Sequence, residues 1–253
     1  MSADAETLYD VWAETAAALS SDWRSGDTGD IGDAGEVRTT MSKKQRGQQQ
    51  RRPRTARVAD PLQWWRRLCW VTPQLALSGD LPDGHAAKHR ALGEWVDAGI
   101  THIVDTRLEH SDEQFVRMHA PHMGYTWAGV DDHGGRQPDT WFDEGVEQTL
   151  EALESPTAKV VVHCHMGVNR GPSMGFASML ALGHDPLKAL HTIRESRPIA
   201  AVLYAEDAVS WWHRRQGSDR KAIYTDTRAV RSWHQANPID TDWITNRLWH
   251  AGG

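Results

Sequence analysis

The sequence is poor in cysteine: Cys69 and Cys164 are the two thiols in 253 residues. At most one disulfide can form, which excludes a disulfide-stapled scaffold and any cysteine-rich zinc module. So few thiols fit a reducing, cytoplasmic setting, where a cysteine can be present for its chemistry. Long apolar runs are also missing. No stretch approaches 18 consecutive apolar residues, so no membrane span is expected. The opening MSADAETLYD lacks the basic-then-apolar layout of a signal peptide. Phe and Tyr are scarce, at 3 and 4, while Trp numbers 13. Trp therefore takes over the large apolar burial that Phe usually supplies. The fourteen histidines show no spacing that by itself identifies a metal site.

What is present is unevenly distributed. Residues 1–36 hold nine acidic side chains and one basic; residues 37–57 hold eight basic and no acidic ones. The spacing of Leu8, Val11, Trp12, Thr15, Leu19 and Trp23 predicts an amphipathic helix over 4–23. The segment 37–60 has too few apolar residues to fold alone and reads as a linker. The same charge makes 37–57 a candidate contact for RNA or another polyanion.

From residue 61 the pattern alternates. Strands are expected at 70–79, 101–106, 125–130 and 159–164. Helices are expected at 84–99, closed by Gly99, and at 139–155, with Asp139 as N-cap. Three more follow at 171–182, 186–196 and 203–215. The run KVVVHC has the unbroken apolar character of a strand buried on both faces. This alternation predicts an α/β domain over 61–215, with a mainly parallel central sheet flanked by helices on both faces. N- and C-terminal extensions complete the chain. The extension 216–253 opens with a polar stretch, 216–228. Trp233, Trp243, Ile244, Leu248 and Trp249 then suggest packing against the domain or a partner, with docking on the domain favoured.

The segment His163–Cys164–His165–Met166–Gly167–Val168–Asn169–Arg170–Gly171–Pro172–Ser173 leaves the buried strand, turns, and enters a helix. Unpaired N–H groups and the dipole at a helix start attract anions, phosphate above all. Gly167 lets the backbone curl round an anion. Pro172 suits a first helical turn. Arg170 can present a two-pronged fork to phosphate oxygens. Cys164 lies at the floor of this cradle, where positive field favours the thiolate, a nucleophile for phosphorus.

H-C-x5-R resembles the signature of the cysteine-dependent protein tyrosine phosphatase superfamily. The layout over roughly 68–215 is most similar to its dual-specificity members. The resemblance implies that Cys164 forms a phosphocysteine intermediate and that Arg170 stabilises the transition state. It implies that the backbone of His165, Met166, Gly167, Val168, Asn169 and Arg170 cradles the phosphate, and that His163 supports the loop by hydrogen bonding. A loop aspartate about thirty residues upstream acts as general acid and then base in that family. Asp132 and Asp131, 32 and 33 residues before Cys164, are the candidates, with Asp132 favoured. The resemblance also implies phosphorylated protein or peptide as substrate and neither a metal nor an organic cofactor; the lack of a long apolar run predicts no membrane partner. One departure stands out. The family's hydroxyl after the arginine is replaced by Gly171, and Ser173 is the next hydroxyl available. The segment C-x-x-G-x-N-R also resembles RNA 5′-phosphatases of the same fold. A non-catalytic phosphate-binding module is the alternative outside enzymes.

Overall fold

The computed structural model describes residues 60–251. The expected helix over 4–23 and the basic stretch 37–57 lie outside the described residues. The described chain opens on a 3-10 turn, Pro61–Gln63, capped by the Asp60 carboxylate on the Leu62 amide.

Five strands follow: β1 (Cys69–Trp70), β2 (Leu75–Ser78), β3 (His102–Arg107), β4 (Gly124–Val130) and β5 (Val160–His163). They form one sheet in the order β1-β2-β5-β3-β4. Only β1 runs antiparallel. The expected mainly parallel sheet is thus present. β5 lies at its centre, with Val161 opposite both Ala76 and Ile103. All four β5 residues are buried, which is why the sequence needed a run of valine there. Each such side chain contributes about 1.5–3 kcal/mol by leaving water.

The eight described helices are α1 (His85–Asp97), α2 (Glu113–His119), α3 (Asp139–Leu153), α4 (Arg170–Ala181), α5 (Pro186–Ser196), α6 (Ala205–Arg215), α7 (Arg220–Ala236) and α8 (Thr241–Trp249). Strand alternation divides the core. Ala76, Ile103 and Val161 face Leu92 and Trp95 of α1 and Val116 of α2. Helices α3 and α4 cover the other face, with α5 and α6 packed against α4. Helix α4 is buried along its whole length. Gly175 lets it sit on Leu77, since a Cβ there would fall 2.5 Å from the leucine Cδ2.

Five details differ from the sequence expectations. The strand expected over 70–79 is split by a turn, because Thr72 Oγ1 accepts from the amides of Gln74 and Leu75 and folds the chain back. Asp139 is the first residue of α3 rather than its cap; its carboxylate takes the Arg214 Nε at 2.8 Å. Helix α2 was not anticipated, being seven residues long with only Val116 buried. The polar stretch 216–228 is largely the start of α7, which buries Val230 and Trp233. In α8, Ile244 and Leu248 are buried, whereas Trp243 and Trp249 remain exposed.

Candidate active site

The carboxyl end of a central parallel strand is where an α/β sheet opens a crevice. Here β5 ends at His163 and α4 begins at Arg170, so 164–169 wrap the mouth of that crevice. Cys164 is buried at the floor of a cleft of about 370 Å³. His165, Met166, Val168, Asn169 and Arg170 line it from the loop, and Asp132 lines it from the segment after β4. The structure therefore brings Asp132 and Cys164 to one cleft. Asp131 is not among the lining residues; only its carbonyl is held, by Gln137 Nε2 at 3.1 Å.

Gly167 has φ +63°, the left-handed region that other residues enter at a cost. A Cβ there would fall 2.5 Å from the Ser78 carbonyl oxygen and collide with the Arg197 guanidinium. Gly167→Ala is therefore expected to destabilise the fold by about 2–5 kcal/mol, summing backbone strain and overpacking. A denaturant melt compared with the parent checks this; an unchanged midpoint would refute the tight fit.

Arg197 was not singled out by the sequence. Its side chain is fully buried beneath the loop. Nε donates to the Gly167 carbonyl at 2.6 Å, and Nη2 donates to the carbonyls of Met166 at 3.1 Å and Trp65 at 2.8 Å. Drawing the 166 and 167 carbonyls toward this cation fixes the loop's curl from below. Nη1 also lies 3.4 Å from Cys69 Sγ. Cys69, which reads from sequence as a packed residue away from any site, thus borders the guanidinium that supports the loop. Both cysteines are free.

Arg170 differs from expectation in one respect. Its fork is taken by Glu109, with Nη1–Oε2 at 2.6 Å and Nη2–Oε1 at 2.7 Å. The hydrogen bond to Arg170 holds the Glu109 carboxyl down to about 2, so this acid is charged at neutral pH. Nη1 also donates to the Val130 carbonyl. Arg170 Nε is buried with no hydrogen-bond acceptor and lies 3.5 Å from Asp132 Oδ2. Buried donors without acceptors are rare, and an oxyanion in the cleft would satisfy this one. Glu109 sits in the loop after β3, at the same sheet edge as Cys164; that placement was the signal available for it.

Asp132 is held in place by Oδ1, which accepts from Asn169 Nδ2 and from the Tyr204 hydroxyl, each at 2.7 Å. Burial, reinforced by the bond to Asp132, pushes Tyr204 up to about 12, so it remains a donor. Asn169 Oδ1 in turn accepts from the Leu203 amide at 2.8 Å and from Ser173 Oγ at 3.3 Å. Ser173 is therefore turned toward Asn169 and the Tyr204 amide, and it does not line the cleft. A hydroxyl cannot simply be restored at 171: a Cβ on Gly171 would come within 2.9 Å of the His163 carbonyl carbon.

The two loop histidines behave differently. His163 has no hydrogen bond at either ring nitrogen, so the hydrogen-bonded support expected of it is not formed. Its Nε2 lies 3.8 Å from Asp105. Burial, against the opposing pull of Asp105, lowers its pKa and favours the neutral ring. The loop's start is tied instead by Thr106 Oγ1, which donates to the His163 carbonyl at 2.8 Å. His165 Nδ1 meets Asp80 Oδ2 at 2.6 Å, and that bond raises the pKa of the ring. Asp80 is also 3.5 Å from Arg107, which pairs with Asp105 and Asp112 at 2.7 Å each. This buried charge network braces the segment that carries Glu109.

The far wall comes from an unexpected source. Thr241 and Thr245 of α8 line the cleft, together with Leu203. Ile244 and Leu248 anchor that helix among Trp65, Val168 and Ile199.

No family model matches the chain. Among solved structures, it is similar to Tk-PTP in its active form, at 20% identity over 60% of this chain and 99% of that one, with a TM-score of 0.48. It is also similar to PTPMT1 in complex with PI(5)P, at 14% identity over 60% of this chain and 97% of that one, TM-score 0.49. A third likeness is to human DUSP28, at 17% identity over 67% of this chain and 99% of that one, TM-score 0.44.

Proposed function

We propose that the protein hydrolyses phosphate monoesters through a phosphocysteine intermediate, as a protein tyrosine or dual-specificity phosphatase. The supporting observation is the convergence on one cleft of Cys164, Asp132 and the acceptor-less Nε of Arg170. In the first step the Cys164 thiolate attacks phosphorus in line, the S–P bond forms and the P–O bond to the leaving group breaks. Asp132 gives its proton to the departing oxygen. Loop amides and Arg170 Nε hold the equatorial oxygens, where charge gathers. In the second step water attacks the phosphocysteine, Asp132 takes its proton, and the S–P bond breaks to restore the thiolate. Glu109 acts as a positioning residue that aims Arg170.

The cleft's composition favours a monophosphate on a flat or apolar group. Arg170 is the one arginine or lysine among its lining residues, and Met166, Val168 and Leu203 supply apolar walls. A triphosphate end would bring several further charges and find little to neutralise them. The acid Asp132 likewise supports the protein phosphatase reading over the RNA 5′-phosphatase one. No described helix is long and apolar enough to cross a membrane.

The deciding assay compares a phosphotyrosine peptide with 5′-triphosphorylated RNA, both in the presence of a metal chelator. Phosphate release from the peptide and none from the RNA is expected. The reverse pattern would overturn the substrate class, and binding of the peptide without any hydrolysis would point to a phosphate-binding module.

A further inference from the structure

Away from the cleft, helices α1 and α2 bring together three histidines that the phosphatase reading does not use. His85 and His89 are four residues apart on α1 and so share a helical face. His119 ends α2 beside them. One nitrogen from each ring lies within 4.8 Å of the others. The ring centroids are 4.6 Å apart for His85 and His89 and 3.9 Å for His89 and His119. Among the described residues, none of the three rings has a hydrogen bond or ion pair. Their contacts are with one another and with Phe115, whose ring centroid is 6.2, 5.1 and 4.5 Å from those of His85, His89 and His119.

Phe115 thus forms an apolar backing that leaves the ring nitrogens to meet each other. His85 and His119 are exposed and His89 half-buried, so an ion can arrive from solvent. Tetrahedral zinc with nitrogen ligands at 2.0–2.1 Å places those nitrogens roughly 3.3 Å apart. Small side-chain rotations would close the observed spread to that distance. An all-imidazole set suits zinc, copper or nickel and is foreign to the oxygen-seeking calcium and magnesium ions.

We infer that His85, His89 and His119 form a binding site for one divalent first-row metal ion of the zinc type, clasping α1 to α2. The fourth coordination position faces solvent. The two helices are already tied by Lys88 Nζ, which donates to Asp112 Oδ1 at 2.7 Å near the start of α2. The ion adds a second tie at the other end of α2. The pair His85 and His89 is visible in the sequence; the third ligand comes from another helix, which hid the set.

The test uses the full chain carrying Cys164→Ser, because a thiolate also takes zinc. Calorimetric titration of this metal-free protein with zinc chloride is expected to show one ion bound per chain. Adding His89→Ala or His119→Gln is expected to weaken that site by at least about tenfold, since a lost ligand costs no less than a lost outer-shell partner. Zinc should raise the melting temperature of the Cys164→Ser protein and not of these variants, because binding to the folded state stabilises it. Without metal, all three should melt alike, showing that the variants fold. The absence of a saturable site, or a site that survives both substitutions, would overturn the inference. Neither result bears on the phosphatase reading.

Discussion

Cys164→Ser is expected to lower kcat/KM for para-nitrophenyl phosphate, measured with chelator present, by at least about 10⁴-fold, the scale seen when a covalent nucleophile is removed. Serine is close to cysteine in size, so the buried floor of the cleft stays filled. Its hydroxyl is a poor nucleophile without an adjacent base. The ring beside it, His163, is not placed to serve as one: it has no hydrogen bond, and burial disfavours its charged form. The loop rests on Gly167 and on the carbonyl contacts of Arg197, none of which involves the thiol. An unchanged melting curve alongside the lost activity would therefore separate chemistry from folding. Activity retained in the serine variant would end the phosphocysteine mechanism.

The second large effect concerns the acid. Asp132→Asn should reduce kcat by about 10²–10⁴-fold, the usual value of general acid–base catalysis, with KM little changed. Asp131→Asn should stay near the parent. The distinction is geometric, since Asp132 lines the cleft and is gripped by Asn169 and Tyr204, whereas Asp131 does not line it. Loss of the grip alone would also disturb the site, so Tyr204→Phe is the control; it keeps the carboxylate and should lose far less. A large effect at 131 with none at 132 would reassign the acid.

The parallel sheet was legible because KVVVHC has no reading as an amphipathic element. The junction of β5 with α4 was legible because Gly167, Arg170 and Pro172 each meet a local demand of a strand–turn–helix passage. Local patterns say nothing about partners that arrive from elsewhere in the chain. Glu109, Arg197 and Tyr204 come from a loop after β3, the end of α5 and the segment before α6. Each is an ordinary residue until the fold sets it against the loop. Arg197 was hidden further because a buried guanidinium normally implies a carboxylate, and here backbone carbonyls take that place. The α8 wall was missed for a related reason. Ile244 and Leu248 mark 231–250 for docking along with its tryptophans, but no local pattern says that the docked helix sets Thr241 and Thr245 against the cleft.

That wall gives the cleft two regions of unequal durability. Cys164 and Arg170 belong to the junction of β5 with α4, two elements buried along their whole length. Thr241 and Thr245 belong to a nine-residue helix fastened by two buried side chains and an Arg247–Asp60 ion pair. Burial of two such side chains is worth about 3–6 kcal/mol before the cost of ordering the segment. Sub-global opening of α8 is therefore expected to cost less than global unfolding. Such opening would widen the cleft at the Thr241 and Thr245 wall while leaving Cys164 and Arg170 in place.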